Sequence, residues 1–250
     1  MKSMKKYTLT LLSVCVVILS VAFSAAAKGY YFRLEAPKMQ GVHNSVGGLG
    51  VSWNRVSAAQ GYIVYRQKSG SNKWKRIAQV NGTKTSYTDK TVKHATTYKY
   101  VVKAFRESSK SRQSPNPKSN TFVAVPKIKS VTIVKSGIRL KWRSYKEVSY
   151  VSVYRRTQGS DNWKRLTSIY RNKNSFIDET AKSGVKYSYQ IRQVVGRVMS
   201  ARDGNIVNSY FIAAPKKLLV KEGYGGFLLK WSNVKGAKGY YIYRKVQGEE

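Results

Sequence analysis

The sequence is short of the groups that build most enzyme sites. Its 250 residues include one Cys, two His and 11 Asp+Glu. A single Cys cannot form an internal bridge, so a disulfide scaffold is excluded. Hydrolytic and metal sites draw on clustered carboxylates, His or Cys. The few present are spread along the chain. No G-x-S-x-G, P-loop, H-E-x-x-H or calcium-loop pattern occurs. His43 and His94 lack counterparts at matching positions further along and read as surface residues. Arg202-Asp203-Gly204 is not the Arg-Gly-Asp order of integrin-type ligands. The composition therefore points away from an enzyme and implies no cofactor and no metal.

What the sequence has in excess is positive charge. Lys+Arg number 47, and the formal net charge is +36. Such an excess points to a polyanionic partner: nucleic acid, anionic lipid, or an anionic wall or surface polymer. With 42% apolar and 12% aromatic residues, the chain can still build packed cores.

The first 30 residues bear on the choice of partner. Lys2, Lys5 and Lys6 precede an apolar run over 7–23, and Ser24-Ala25-Ala26-Ala27 follows. This is the charged region, apolar region and small-residue site of a secretory signal, with cleavage after about Ala27. An uncleaved anchor is the alternative, but the run is short for a span of about 20 residues. Cys15 lies inside the apolar run, behind Val14 where a lipoprotein signal needs a small residue. No later segment is apolar enough to span a membrane. The expected location is secreted, extracellular or cell-surface associated.

The rest is a repeat. Pro37, Pro126 and Pro215 are spaced 89 apart and each precedes Lys. Trp53, Trp142 and Trp231 share that offset of 89, as do Tyr65, Tyr154 and Tyr243, each followed by Arg. Trp74 matches Trp163, Asp89 matches Asp178, Tyr98 matches Tyr187 and Tyr100 matches Tyr189. The units are 37–125 and 126–214, after a lead-in over 28–36, with a third, truncated unit over 215–250 that holds its first 36 positions. A chain cut in mid-sheet exposes strand edges and apolar surface, so a fragment of a longer protein is the favoured explanation.

Each unit reads as all-β. In the first, Gly50-Val51-Ser52-Trp53 and Tyr62-Ile63-Val64-Tyr65 are strand-like, as are 74–80, 86–88, 96–105 and 120–123. Gly, Asn and Ser clusters separate them. Gly48, Gly137 and Gly226 mark a turn into the second strand, which also accounts for Gly223-Tyr224-Gly225. Seven short strands in about 90 residues describe a β-sandwich.

These motifs resemble fibronectin type III domains of secreted bacterial surface proteins. The resemblance rests on Val51-Ser52-Trp53, Gly61-Tyr62-Ile63-Val64-Tyr65-Arg66, Ser86-Tyr87-Thr88-Asp89 and Tyr98-Lys99-Tyr100-Val101-Val102. The second unit repeats them as Leu140-Lys141-Trp142, Val151-Ser152-Val153-Tyr154-Arg155, Ser175-Phe176-Ile177-Asp178 and Tyr187-Ser188-Tyr189-Gln190-Ile191. The resemblance implies tandem seven-strand immunoglobulin-like sandwiches with the Trp in the core. It implies a corner tyrosine at Tyr98 and Tyr187, above Val92 and the smaller Ala181, where packing should be looser.

Strand alternation assigns faces. Tyr62 and Val64 align with Val151 and Val153 and point inward, as do Tyr98, Tyr100 and Val102. Ile63 aligns with Ser152, and an apolar-to-Ser exchange marks a solvent face. One outer face then carries Tyr65, Trp74, Arg76, Lys99 and Lys103, and its copy carries Tyr154, Trp163, Arg165 and Arg192. Aromatic rings among cations suit a carbohydrate or polyanion. The same residues also fit a solvated face with a cross-strand Tyr–Trp pair. Asp89 and Asp178 read as acceptors for local backbone donors.

The charge belongs to the repeats: 16 basic and 2 acidic residues in the first unit, 18 and 5 in the second, 8 and 3 in the third. The sequence thus leads to a secreted, non-enzymatic spacer or adhesion array held to anionic cell-wall or surface polysaccharide, with other envelope proteins as further partners. Two rivals stand beside it: the accessory binding region of a larger secreted hydrolase, and an extracellular nucleic-acid binder.

Overall fold

The computed structural model describes residues 34–250 apart from 144, 171–172, 203, 247 and 249–250. The export leader read over 1–27, with Cys15, lies outside these residues. The described chain is all-β. In the first unit β1 (Met39–Ser45), β2 (Gly48–Trp53) and β5 (Ser86–Asp89) form an antiparallel sheet with β2 at its centre. A second sheet runs from β4 (Lys75–Asn81) through β3 (Gly61–Lys68) to β6 (Thr96–Arg106). The two-residue β7 (Ser109–Lys110) and β8 (Lys118–Phe122) both pair with β6, at opposite ends.

The second unit repeats this arrangement. β9 (Ile128–Val134), β10 (Gly137–Trp142) and β13 (Ser175–Asp178) form the smaller sheet. β11 (Tyr150–Thr157), β12 (Lys164–Tyr170), β14 (Val185–Val195), β15 (Val198–Met199) and β16 (Val207–Phe211) form the larger. A hairpin of β17 (Leu219–Gly223) and β18 (Gly226–Lys230) follows, and residues 239–246 form no strand.

Each pair of sheets closes on its own hydrophobic cluster. Trp53, Tyr62, Val64, Tyr100 and Val102 are fully buried in the first, and Ile138, Leu140, Val153, Tyr189 and Ile191 in the second, beside Trp142. Burying a Leu, Ile or Val side chain contributes about 1.5–3 kcal/mol. Trp53 packs against Tyr62 with ring centroids 5.4 Å apart, and Val56 N donates to Tyr62 Oη at 2.8 Å. The third unit repeats that pair as Trp231 and Tyr240 at 5.3 Å, with Val234 N donating at 2.7 Å. In the second unit Val151 replaces the tyrosine. The bulk returns 89 positions from Val56, as Tyr145, which packs on the same cluster. In the third unit Phe227 is 70% exposed, whereas Leu49 and Ile138, which align with it, are fully buried.

Two sequence expectations acquire physical reasons. The corner tyrosines accept backbone hydrogen bonds, Lys93 N to Tyr98 Oη and Lys182 N to Tyr187 Oη, both 3.1 Å. Tyr98 is 4% exposed and Tyr187 5%, so Ala181 does not loosen its corner. The turn glycines are required by close approach. A Cβ on Gly48 would lie 2.4 Å from Asp89 O, and one on Gly137 would lie 2.1 Å from Asp178 O.

Asp89 and Asp178 do more than accept from local backbone. Asp89 is fully buried at the end of β5. It accepts from Arg66 Nη1 at 2.7 Å and Tyr100 Oη at 3.0 Å, both reaching across from the opposite sheet. Thr91 N and Thr91 Oγ1 donate to its other oxygen at 2.9 and 2.7 Å. Asp178 makes the same four bonds with Arg155, Tyr189 and Thr180. Each guanidinium also covers a corner tyrosine, Arg66 over Tyr98 at 4.8 Å and Arg155 over Tyr187 at 4.6 Å. Burial raises the Asp89 carboxyl, but the bonds from Thr91, Arg66 and Tyr100 outweigh it and hold the group below its ordinary range. Asp178 is lowered in the same way, against burial, by Tyr189, Thr180 and Arg155. Tyr100 and Tyr189 are pushed up by burial together with the neighbouring carboxylate.

Successive units meet through matching loops. His94 Nδ1 accepts from Ala124 N at 3.1 Å, and its ring lies 4.5 Å from that of Tyr145 in the next unit. At the matching position Ser183 Oγ accepts from Ala213 N at 3.0 Å and donates to Lys235 O at 2.9 Å. His94 is therefore a joint residue and not the surface residue read from the sequence. Burial lowers its pKa, and Glu147 across the joint offsets this only in part. A proton on Nδ1 would abolish the bond from Ala124 N.

The lowered pKa sets a sign. The unfolded imidazole takes up a proton first, so the joint is at full strength above the ordinary value of 6.5. It weakens as pH falls through 6.5 toward the lower folded value, with a slope of up to about 1.4 kcal/mol per pH unit. Thermal unfolding of the chain and of His94→Ser, which copies Ser183, should show this component between about pH 7.5 and 5, in the parent alone. Parallel pH profiles would contradict it.

Candidate functional site

The outer face of β4, β3 and β6 holds most of the residues read as a binding face. Tyr65 pairs with Val101 on one side and Arg76 on the other, and Lys103 pairs with Ile63. Lys103 Nζ reaches to 5.8 Å from the Tyr65 ring. Tyr65, Arg76 and Lys103 therefore form one cluster. Arg76 is exposed and donates to Gln79 Oε1. Lys99 is exposed and lies further along β6, opposite Gln67.

Trp74 does not join Tyr65. A bulge between Val64 and Tyr65 sets Tyr65 opposite Arg76 and Arg66 opposite Lys75. Trp74 precedes β4 and faces Gln67 by continuation of that register. The second unit shows the consequence, because Arg156 occupies the place of Gln67. Its guanidinium lies 4.7 Å over the Trp163 ring, and Nη1 bonds to Asp161 Oδ1 at 3.3 Å. No ring contact joins Tyr65 to Trp74, or Tyr154 to Trp163, among the described residues. The expected cross-strand Tyr–Trp pair is absent because the register sets Arg76 opposite Tyr65 and leaves Trp74 two residues further along, opposite Gln67.

The copy of the face in the second unit is turned onto the protein itself. Tyr154 Oη contacts Met199 Sδ at 3.9 Å. Arg192 Nε donates to Ser200 O at 2.9 Å. Arg165, opposite Tyr154, is the exposed cation of this cluster.

The face is also less open than alternation implies. Ile63 is 3% exposed, Val101 1%, Ser152 0%, Ser188 2% and Gln190 3%. The apolar-to-Ser exchange at 63 and 152 therefore does not mark solvent. The stem of Lys103 runs from beside Ile63 toward Tyr65 and covers the first pair. Arg192, opposite Ser152, covers the second on its way to Ser200. Long side chains thus lie over Ile63 and Ser152.

Sequence reasoning missed Arg66, Arg155 and Arg156. A signal for the first two was present, since an Arg follows each of the three tyrosines spaced 89 apart. Arg156 carried none, because Gln67 holds its place in the first unit. Among the described residues, no three His, Cys, Asp or Glu side chains group to hold a metal ion. No helix there is long and apolar enough to cross a membrane.

No family model matches the chain. A titin homolog of Caenorhabditis elegans is 25% identical over 149 residues, 52% of this chain, which spans 1% of that protein's length. Three solved structures are similar in part. The FN1–FN3 domains of chicken CNTN1 give a TM-score of 0.37 at 18% identity, covering 71% of this chain and 67% of that one. A two-domain fibronectin type III segment of chicken tenascin gives 0.34 at 15% identity, covering 70% and 97%. A beta-1,2-glucanase of Parabacteroides distasonis gives 0.34 at 22% identity over 37% of this chain and 13% of that one. At these scores no ligand or activity passes from any of them to this chain.

The roofed face predicts a specific coupling. In a double-mutant cycle followed by urea unfolding, Arg156→Ala and Trp163→Ala should couple by about 0.5–1 kcal/mol. Tyr65→Ala and Trp74→Ala should not couple. The reverse pattern would contradict the bulged register.

Proposed function

We propose that the chain is a secreted, non-enzymatic array of fibronectin type III-like modules that associates electrostatically with anionic polymers of a bacterial envelope. One observation carries this reading: the cations sit on folded units and are mostly unmatched. Four ion pairs are seen among the described residues, Arg66–Asp89, Arg106–Glu107, Arg155–Asp178 and Arg156–Asp161. Against 16 basic residues in the first unit and 18 in the second, these leave most of the charge facing outward. A spacer alone needs no such density, because modest charge of either sign suffices for solubility. The cluster of Tyr65, Arg76 and Lys103, with Arg165 on the second unit, is the contact face in this reading.

A long-lived field of one sign attracts a polymer of the other and is screened by salt over about 10 Å at 0.1 M. Retention of the chain on immobilised poly(glycerol phosphate) should therefore be strong at low ionic strength and fall steeply toward about 1 M salt. Salt-independent retention would contradict the electrostatic reading. Tighter, equally salt-sensitive capture by DNA would favour the nucleic-acid reading.

A further inference from the structure

The first unit has an open polar groove of about 420 Å³ at one end of its larger sheet. Gln67, Lys68, Asn72, Thr97, Lys99 and Ser119 line it. Its turn is fixed by backbone bonds, Ser69 N to Thr97 O at 2.9 Å and Ser71 N to Lys68 O at 3.0 Å. Lys73 N donates to Ser71 Oγ at 3.2 Å, and Gly70 takes a φ of 82° that favours glycine.

The second unit builds the same turn with a different set of side chains. Gln158 N bonds to Lys186 O at 3.0 Å, Ser160 N to Thr157 O at 3.1 Å, and Asn162 N to Ser160 Oγ at 3.1 Å. Asp161 stands where the first unit has Asn72, and it pairs with Arg156 in the place of Gln67. Ser188, in the place of Lys99, bonds to Asn208, in the place of Ser119, at 2.8 Å. The second unit thus supplies its own anion and joins its own walls. The first offers a neutral Asn72 and two exposed lysines at the strand end, Lys99 on the outer face opposite Gln67 and Lys68 opposite Tyr98, whose ammonium groups make no hydrogen bond or ion pair among the described residues.

We infer that this groove of the first unit, between the 69–72 turn and strands β6 and β8, binds a phosphodiester-linked polyol segment. The inference deepens the polyanion reading and rests on it. Lys99 supplies a point charge for a phosphate, and Lys68, at the same strand end, adds to the positive field there. The amides of Gln67 and Asn72 and the hydroxyls of Thr97 and Ser119 both donate and accept, as polyol hydroxyls require. No aromatic ring is part of the groove lining, and Trp74 stands beside it, facing Gln67.

The test uses glycerophosphoglycerol, a single phosphodiester between two glycerols, titrated into the isotope-labelled full chain and followed by amide shifts. Saturable shifts are expected at Gly70, Asn72 and Lys99, with none at Gly159 or Asp161. Lys68→Ala with Lys99→Ala should weaken binding about tenfold or more. Lys75→Ala with Lys84→Ala, an equal loss of charge on exposed lysines elsewhere, should not. Equal shifts in both turns, or equal losses in both double variants, would overturn the inference. So would tighter binding of a thymidine oligonucleotide at the same amides. If the Lys68 and Lys99 variant loses no affinity for glycerophosphoglycerol yet poly(glycerol phosphate) retention stays salt-sensitive, the groove fails and the polyanion reading stands. If the unaltered chain is not retained by that polymer at low salt, the polyanion reading itself fails.

Discussion

The interaction on which each of the first two units depends is a buried carboxylate that joins its two sheets. Asp89 belongs to the small sheet, and its partners Arg66 and Tyr100 belong to the large one. A buried charge is tolerated only when it is paired and fully hydrogen-bonded. Four donors satisfy it, and the second unit repeats all four around Asp178. Apolar packing between sheets is non-directional, whereas this node allows one register between β3, β5 and β6. It also places Arg66 against the corner tyrosine and draws the carbonyl of Asp89 close to Gly48, so the turn into β2 must be glycine.

With the frame fixed from inside, the outside is free to differ. The two units share their turn geometry and their node, but their cations are used differently. In the second unit Arg155, Arg156 and Arg192 are bound internally, to Asp178, to Asp161 and Trp163, and to Ser200. In the first, Lys68 and Lys99 stay in solvent beside an open groove. Similar net charge in the two units therefore conceals unequal capacity to meet an anion.

Much of this was legible in the sequence because packing repeats. The core tryptophans Trp53 and Trp142, the inward Tyr100 and Tyr189 and the corner tyrosines recur at a fixed offset, and each sits where alternation places it. β1 was not legible, since Met-Gln-Gly-Val-His-Asn-Ser has no period of two and is held by pairing with β2. The displacement of Trp74 was not legible either. The register between β3 and β4, with its bulge, decides which side chain faces Tyr65 and leaves no compositional trace. Burial of Ile63 and Ser152 escaped because alternation gives direction but not cover. The cover comes from lysine and arginine stems on the same face. His94 escaped because its partner, Tyr145, lies in the next unit.

The most direct test of the inter-sheet node is native-state hydrogen exchange on Asp89→Ala. Removing one partner of a buried pair costs about 3–5 kcal/mol. Amides of β3, β5 and β6 should lose protection together by that amount, while those around Asp178 in β11, β13 and β14 keep theirs. Loss confined to the turn at Thr91, with β3 and β6 unchanged, would show that the carboxylate serves its own loop and does not hold the sheets.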